Sequence, residues 1–550
     1  MMKIFFIILL CFVMLPSYVK GQIRDNALTQ ELYKKEFPVL RSFKNKRIAE
    51  IESLRDRMLL LPTNTDEGIA MWRDFLDFSR QSLISFPLDT YDKDDENYWS
   101  RIIATMTPLF YICCDHLDGR EKEAYNNALT LKNFLYHGYK YEEIKQTTWE
   151  DVRDMLDDGE VAIELRVLPE EALILKKSMN CPVSVPIDSI LVERMGMYKG
   201  ADAVEISEMY SDGGTLAKFW NSISPSISGA KRIYLSASHF FCNFNFGAIP
   251  TGNSSTVDED YDFHYLVSTE DILNVKNRKE TTEYQTAAIF GDITYDMSEE
   301  KMLASTLKRA DNQTPAWDLT RGMDDATRGK LLPLQHSKEE LVAINDLLCS
   351  KGMEVKKYDA TNASEETFKD IVGSKPEIIH LSTHGFMLAP MYNESDGTSI
   401  YPESIIASKY ATDMLKSGLL LAGASRVWNG KAPIDGVEDG ILTTKELLEM
   451  DFRGTKLAVL SACKTGLGND TNLTGLSIGP QHALKTKGVE QIVMSLWMVD
   501  DAATTLLMKY FYESLLVGNG AKSALKYAQR KLIEEGYTDP YYWAAFVVLE

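Results

Sequence analysis

The chain has 550 residues, too many for one ordinary core, with 45% hydrophobic and 25% charged residues. That balance excludes a disordered chain. A formal net charge of −21 argues against a general nucleic-acid binder, since phosphates would be repelled, and suits a basic protein or peptide partner.

At the N-terminus, Lys3 precedes the apolar run Ile4 to Leu15, which Pro16-Ser17 breaks. Val19-Lys20-Gly21 then fits cleavage before Gln22, so residues 1–21 read as a secretory signal peptide. The run is short for a membrane span, which makes an uncleaved anchor the weaker alternative. No later segment is apolar over enough length to cross a bilayer, so the mature chain is expected to be exported, periplasmic or extracellular. Of seven cysteines, Cys11 leaves with the signal. Cys113, Cys114, Cys181, Cys242, Cys349 and Cys463 form no CxxC unit, so neither a zinc site nor a disulfide framework is expected.

Residues 22–145 read as an all-α region. Ile48, Ile51, Leu54, Met58 and Leu59 recur at helical spacing, as do Met71, Phe75, Phe78 and Leu83. Breaks at Pro62-Thr63-Asn64 and over 87–97 suggest antiparallel helix pairs, without a fixed repeat period.

Near Thr147 the texture changes. Strand-like runs appear at 161–165, 172–175, 182–185, 231–236 and 287–290, and residues 297–330 read as a polar linker. Helix and strand then alternate: helix 337–350, strand 353–358, helix 364–373, strand 377–383, helix 443–449, strand 456–461, helix 475–487, strand 490–496 and helix 501–517. Such alternation predicts an α/β fold with a mostly parallel sheet flanked by helices.

Two strand ends carry the chemistry. Ile378-Ile379-His380-Leu381-Ser382-Thr383-His384-Gly385-Phe386 presents an imidazole, and Leu457 to Gly466 presents the thiol of Cys463. Ligands gather at the carboxyl ends of strands in open α/β sheets. A thiol attacks a carbonyl as thiolate and needs a base. His384 is the candidate base and Cys463 the candidate nucleophile, and the backbone N–H groups of Gly385 and Cys463 could serve a tetrahedral oxyanion. The alternatives are a buried structural cysteine and a locally satisfied histidine; His380, inside its strand, reads as a core or supporting group. Ser461 is a rival nucleophile, but no G-x-S-x-G elbow surrounds it.

These segments resemble the CHAT domain, a caspase-like fold related to separases. The matching stretches are 379–386, Asp439-Gly440-Ile441-Leu442-Thr443, 460–468, 495–504 and Tyr542-Trp543-Ala544-Ala545-Phe546, with weaker similarity back to about residue 145. The organisation so implied is an N-terminal part of the CHAT region over 146–284 and a caspase-like catalytic domain over 285–550. The helical region is similar in position to the tetratricopeptide arrays that often precede such domains, where a regulatory protein could bind. The resemblance gives His384 and Cys463 as the catalytic pair and matches Gly385 and the Cys463 amide to the oxyanion donors. No metal and no cofactor are implied. Asp500 and Asp501 match an acidic pair that helps form a substrate pocket in related peptidases and would favour a basic residue before the scissile bond. Their competing reading is the cap of the helix that follows. One departure stands out: Asn472-Leu473-Thr474-Gly475-Leu476-Ser477 replaces the family's usual Gly-Glu-Gly-like turn. The reading is an exported cysteine endopeptidase; the alternative is a catalytically silent scaffold that binds peptides in the same groove.

Overall fold

The computed structural model describes residues 120–137, 147–167, 170–198, 203–252, 255–278, 283–306, 331–387, 417–461, 479–497 and 499–550. The signal segment, most of the 22–145 region, most of the 297–330 linker, Cys463 and the 472–477 departure lie outside them.

The strands are β1 Glu160–Val167, β2 Glu170–Lys176, β3 Val183–Pro186, β4 Arg232–Ser236, β5 Asp262–Leu266, β6 Thr286–Ile293, β7 Glu354–Ala360, β8 Ile378–Ser382, β9 Gly385–Met387, β10 Ser417–Leu420, β11 Ile441–Thr443, β12 Leu457–Ser461, β13 Gln491–Ser495 and β14 Phe546–Leu549. The helices that matter here are α1 Arg120–His137, α2 Ser337–Ser350, α3 Glu365–Gly373, α4 Pro480–Thr486, α5 Asp501–Leu515 and α6 Ala521–Glu534.

Eleven strands form one sheet in the order β3-β2-β1-β4-β5-β14-β13-β12-β8-β6-β7. Within it only β3–β2, β2–β1 and β13–β14 pair antiparallel among the described residues. Every residue of β8 and of β12 is buried, as their unbroken apolar runs require in a sheet covered on both faces. On one face His380 meets Glu340 of α2 and Tyr512 of α5. On the other, Phe368 of α3 packs edge-on against Phe290 of β6.

Local chemistry sets the helix ends. Ser364 caps α3 through the Thr367 N–H, and Gly479 with Pro480 opens α4. The described part of the expected linker contains a helix, Glu299–Thr306, whose Met302 is buried against the core. Two glutamates at its start favour that helix, a signal that the polar composition of the stretch masked.

A second, antiparallel sheet of order β11-β10-β9 hangs from the end of β8. Gly418 lets β10 lie close to β11: a Cβ there would sit 2.2 Å from the Leu442 carbonyl oxygen.

Candidate active site

β8 and β12 are adjacent and parallel, with Ser382 opposite Ser461. His384 lies two residues beyond Ser382, and Cys463 two residues beyond Ser461. Neighbouring strands run about 4.8 Å apart, so the two strands end side by side at the carboxyl edge of the sheet. Cys463 itself falls outside the described residues.

His384 is fixed on several sides. Its backbone oxygen accepts from the Leu420 N–H (2.9 Å) and its N–H donates to the Tyr295 hydroxyl (3.3 Å). The Tyr295 ring lies against the imidazole with centroids 5.1 Å apart. Thr383 spends its one hydroxyl hydrogen on the Leu420 carbonyl, so it accepts from Tyr295 at 3.0 Å. Both Tyr295 and Thr383 are buried. On the ring, Nε2 lies 2.7 Å from the Leu332 carbonyl oxygen. A carbonyl can only accept, so Nε2 carries the hydrogen and Nδ1 of the neutral ring keeps its lone pair.

Gly385 begins β9. The bond from the Leu420 N–H to the His384 oxygen makes Leu419 and Gly385 a non-hydrogen-bonded pair. The Gly385 N–H is therefore directed away from β10, on the outer side of the small sheet.

Beneath this edge lies a buried polar group. His380 Nε2 meets Glu340 Oε1 at 3.0 Å, Ser382 Oγ donates to Glu340 Oε2 at 3.0 Å, and Tyr512 Oη lies 3.2 Å from His380 Nδ1. Burial, together with the Glu340 charge, pushes the Tyr512 phenol well above its usual range. His380 is thus a supporting group inside the core.

The two aspartates, both half-buried, hydrogen-bond to the backbone. Asp500 caps α5, accepting the Ala503 N–H at 2.8 Å. Asp501 Oδ2 accepts the His336 N–H at 2.8 Å. Each keeps a second oxygen.

The Asp439–Thr443 stretch is anchored on α3. The Gly440 N–H donates to Glu365 Oε2 (3.0 Å), and Gly440 adopts φ +80°, where a Cβ would meet the Ala424 nitrogen at 2.6 Å. Burial, with Glu446 and Glu438 nearby, pushes the Asp439 carboxyl up to about 7. Glu365, Glu438 and Glu446 converge closely enough to hold a cation. The Lys369 ammonium stands among them, 2.7, 2.8 and 3.1 Å from their oxygens, and supplies that charge.

Tyr295, Leu332 and Glu340 were not singled out from the sequence. Leu332 acts through its carbonyl, which leaves no side-chain signal. Glu340 did leave one: it shares the buried α2 face of Leu341, Ile344 and Leu348.

Residues 217–549 match the CHAT domain, and the chain belongs to that family. No curated protein matches the chain in sequence. Among solved structures it is similar to the Arg-specific cysteine proteinase gingipain R, at 9% identity and a TM-score of 0.32 over 63% of this chain and 69% of that one. It is also similar to Porphyromonas gingivalis RgpB pro- and mature domains (11%, 0.34, 63% and 70%). The Saccharomyces cerevisiae separase–securin complex gives 9% and 0.42 over 89% of this chain and 38% of that one.

Proposed function

We propose that the protein is an exported cysteine endopeptidase of CHAT type. The observation that carries this reading is the side-by-side ending of β8 and β12, with the His384 imidazole held at Nε2 and its other nitrogen left as the proton acceptor. In this mechanism Nδ1 of His384 takes the Cys463 proton as sulfur attacks the scissile carbonyl carbon. The Gly385 and Cys463 N–H groups receive the oxyanion. The imidazolium returns its proton to the leaving amine, giving a thioester that water then hydrolyses. No step calls for a metal or an organic cofactor.

Charge pairing with Asp500 and Asp501 would favour lysine or arginine before the scissile bond, through the second oxygen of each carboxylate. The 22–145 region would recruit the substrate or a regulatory protein after removal of residues 1–21. No helix among the described residues is long and apolar enough to cross a membrane.

A thiol-reactive peptide mimic ending in arginine tests the dyad. It should label Cys463 selectively, and His384→Ala should slow labelling on the order of 100-fold. Cys463→Ala should trap uncut substrate while unfolding at the wild-type temperature. Cleavage by the Cys463→Ala protein would reject Cys463 as the nucleophile; absence of selective labelling in the wild type would put the peptide-binding scaffold in place of the enzyme.

A further inference from the structure

The carbonyl that grips His384 belongs to a stretch with little apolar anchoring. Leu332 is 60% exposed, Pro333 and Gln335 are exposed, and Leu331 and Leu334 are half-buried. Burial alone does not fix residues 332–336. Polar ties at the far end of the stretch do: the His336 N–H donates to Asp501 Oδ2 at 2.8 Å, and Thr505 Oγ1 donates to the His336 carbonyl at 3.4 Å. Both partners lie on the first turns of α5, which Asp500 caps. Immediately after His336, Ser337 is buried and tied on both sides, accepting the Asp292 N–H (2.9 Å) and donating to the Ser382 carbonyl (3.3 Å). The stretch is therefore clamped at 336–337, and Leu332 reaches back from that clamp to the imidazole.

We propose that Asp501 is a positioning residue for the candidate base, acting through the 332–336 stretch; the proposal rests on the cysteine-peptidase reading. Its carboxylate oxygen sets where the Leu332 carbonyl lies, and that carbonyl sets the tautomer and the tilt of the His384 ring. The role needs a hydrogen-bond acceptor at 501 and does not need a negative charge. A substrate-pocket role for Asp501 would need the charge.

The two roles separate in one experiment. Asp501→Asn keeps an oxygen that can accept from His336, whereas Asp501→Ala removes it; both remove the charge. The rate of Cys463 carbamidomethylation by iodoacetamide is followed against pH, by mass spectrometry of the Cys463 peptide, in the wild type, both variants and His384→Ala. Positioning predicts that Asp501→Asn follows the wild-type profile. Asp501→Ala should fall on the order of tenfold at neutral pH, toward the His384→Ala profile. Equal loss in both variants, or loss in neither, overturns the proposal. A wild-type profile that coincides with that of His384→Ala overturns the dyad, and the proposal with it. Thermal unfolding reports whether each variant is folded. Should the alanine protein fail, Asp501→Ser, with a hydroxyl too short to reach His336, takes its place and carries the same expectation.

Discussion

At the scale of single residues, the sheet edge that leads to His384 rests on a buried carboxylate. Glu340 and His380 are both almost completely buried, and Glu340 also accepts from Ser382. Removing Glu340 takes the partner from His380 Nε2 and Ser382 Oγ, and a buried polar group left unbonded costs far more than the net value of a satisfied pair. Glu340→Ala is therefore expected to lower stability on the order of 3 kcal/mol, read as a drop in the denaturant midpoint. Glu340→Gln, whose amide can still meet Ser382 and His380, should lose less. Equal midpoints for Glu340→Ala and the wild type would show that the group carries no net stability. The nearby strand end also explains why His384 and His380, four residues apart, differ so much. His380 points into the α2–α5 face within β8, whereas His384 comes after the last sheet pairing at Ser382, where the chain turns toward β9.

At the scale of elements, the sequence exposed the units with strong local signals and missed those that depend on distant partners. β8 and β12 stood out as apolar runs that stop at small residues, and the observed spans, Ile378–Ser382 and Leu457–Ser461, fall inside the expected ones. α2 and α3 were legible from periodicity and sit where expected. β9, β10 and β11 were not legible. They have three or four residues each, and their pairing is with one another, across long intervals of chain. β5 was missed for another reason: Asp262 and His264 interrupt its apolar run, and they pair with each other two residues apart along one face of the strand. For the site itself, His384 and Gly385 were readable as residue types just past a strand end, Cys463 lies outside the described residues, and the backbone carbonyl at Leu332 was not readable. The small sheet has a testable weak point. At Gly418 any side chain would collide with the Leu442 oxygen at 2.2 Å and the Thr443 Cα at 2.9 Å. Gly418→Ala should destabilise by about 1–3 kcal/mol. Because β10 supplies the Leu420 N–H that holds the His384 carbonyl, the same change should slow Cys463 labelling by the peptide mimic. Unchanged labelling would mean that β10 does not help to hold His384.

At the scale of the whole molecule, the long sheet is two halves joined at one place. β4 and β5 pair over five residues, from Arg232 opposite Asp262 to Ser236 opposite Leu266. Across the junction the register between β5 and β14 comprises Leu549 opposite Tyr265, extended by the Glu550 N–H donating to the Tyr265 carbonyl at 2.9 Å. A charged cluster reinforces it. His264 lies between Glu550 (2.7 Å) and Asp262 (3.1 Å), Arg278 pairs with Glu550 at 3.2 Å, and Arg232 and Lys522 pair with Asp262. Burial alone would lower the His264 pKa, but hydrogen bonds to Asp262 and Glu550 outweigh it and raise it above 6.5. Burial likewise would raise the Glu550 carboxyl, but the His264 hydrogen bond and the charges of His264, Arg278 and Lys522 hold it at about 2, against an ordinary 4.5. The signs then follow from linkage. The histidine contribution is complete below 6.5 and is lost as pH rises through the raised value. The Glu550 contribution is complete above 4.5 and is lost as pH falls toward about 2. The junction is therefore strongest in mildly acidic solution, between those limits. The urea midpoint of the wild type minus that of His264→Gln should stay constant from 4.5 to 6.5 and shrink above that window. A difference that is flat, or that grows, on the alkaline side would show that His264 does not join the halves through its charge.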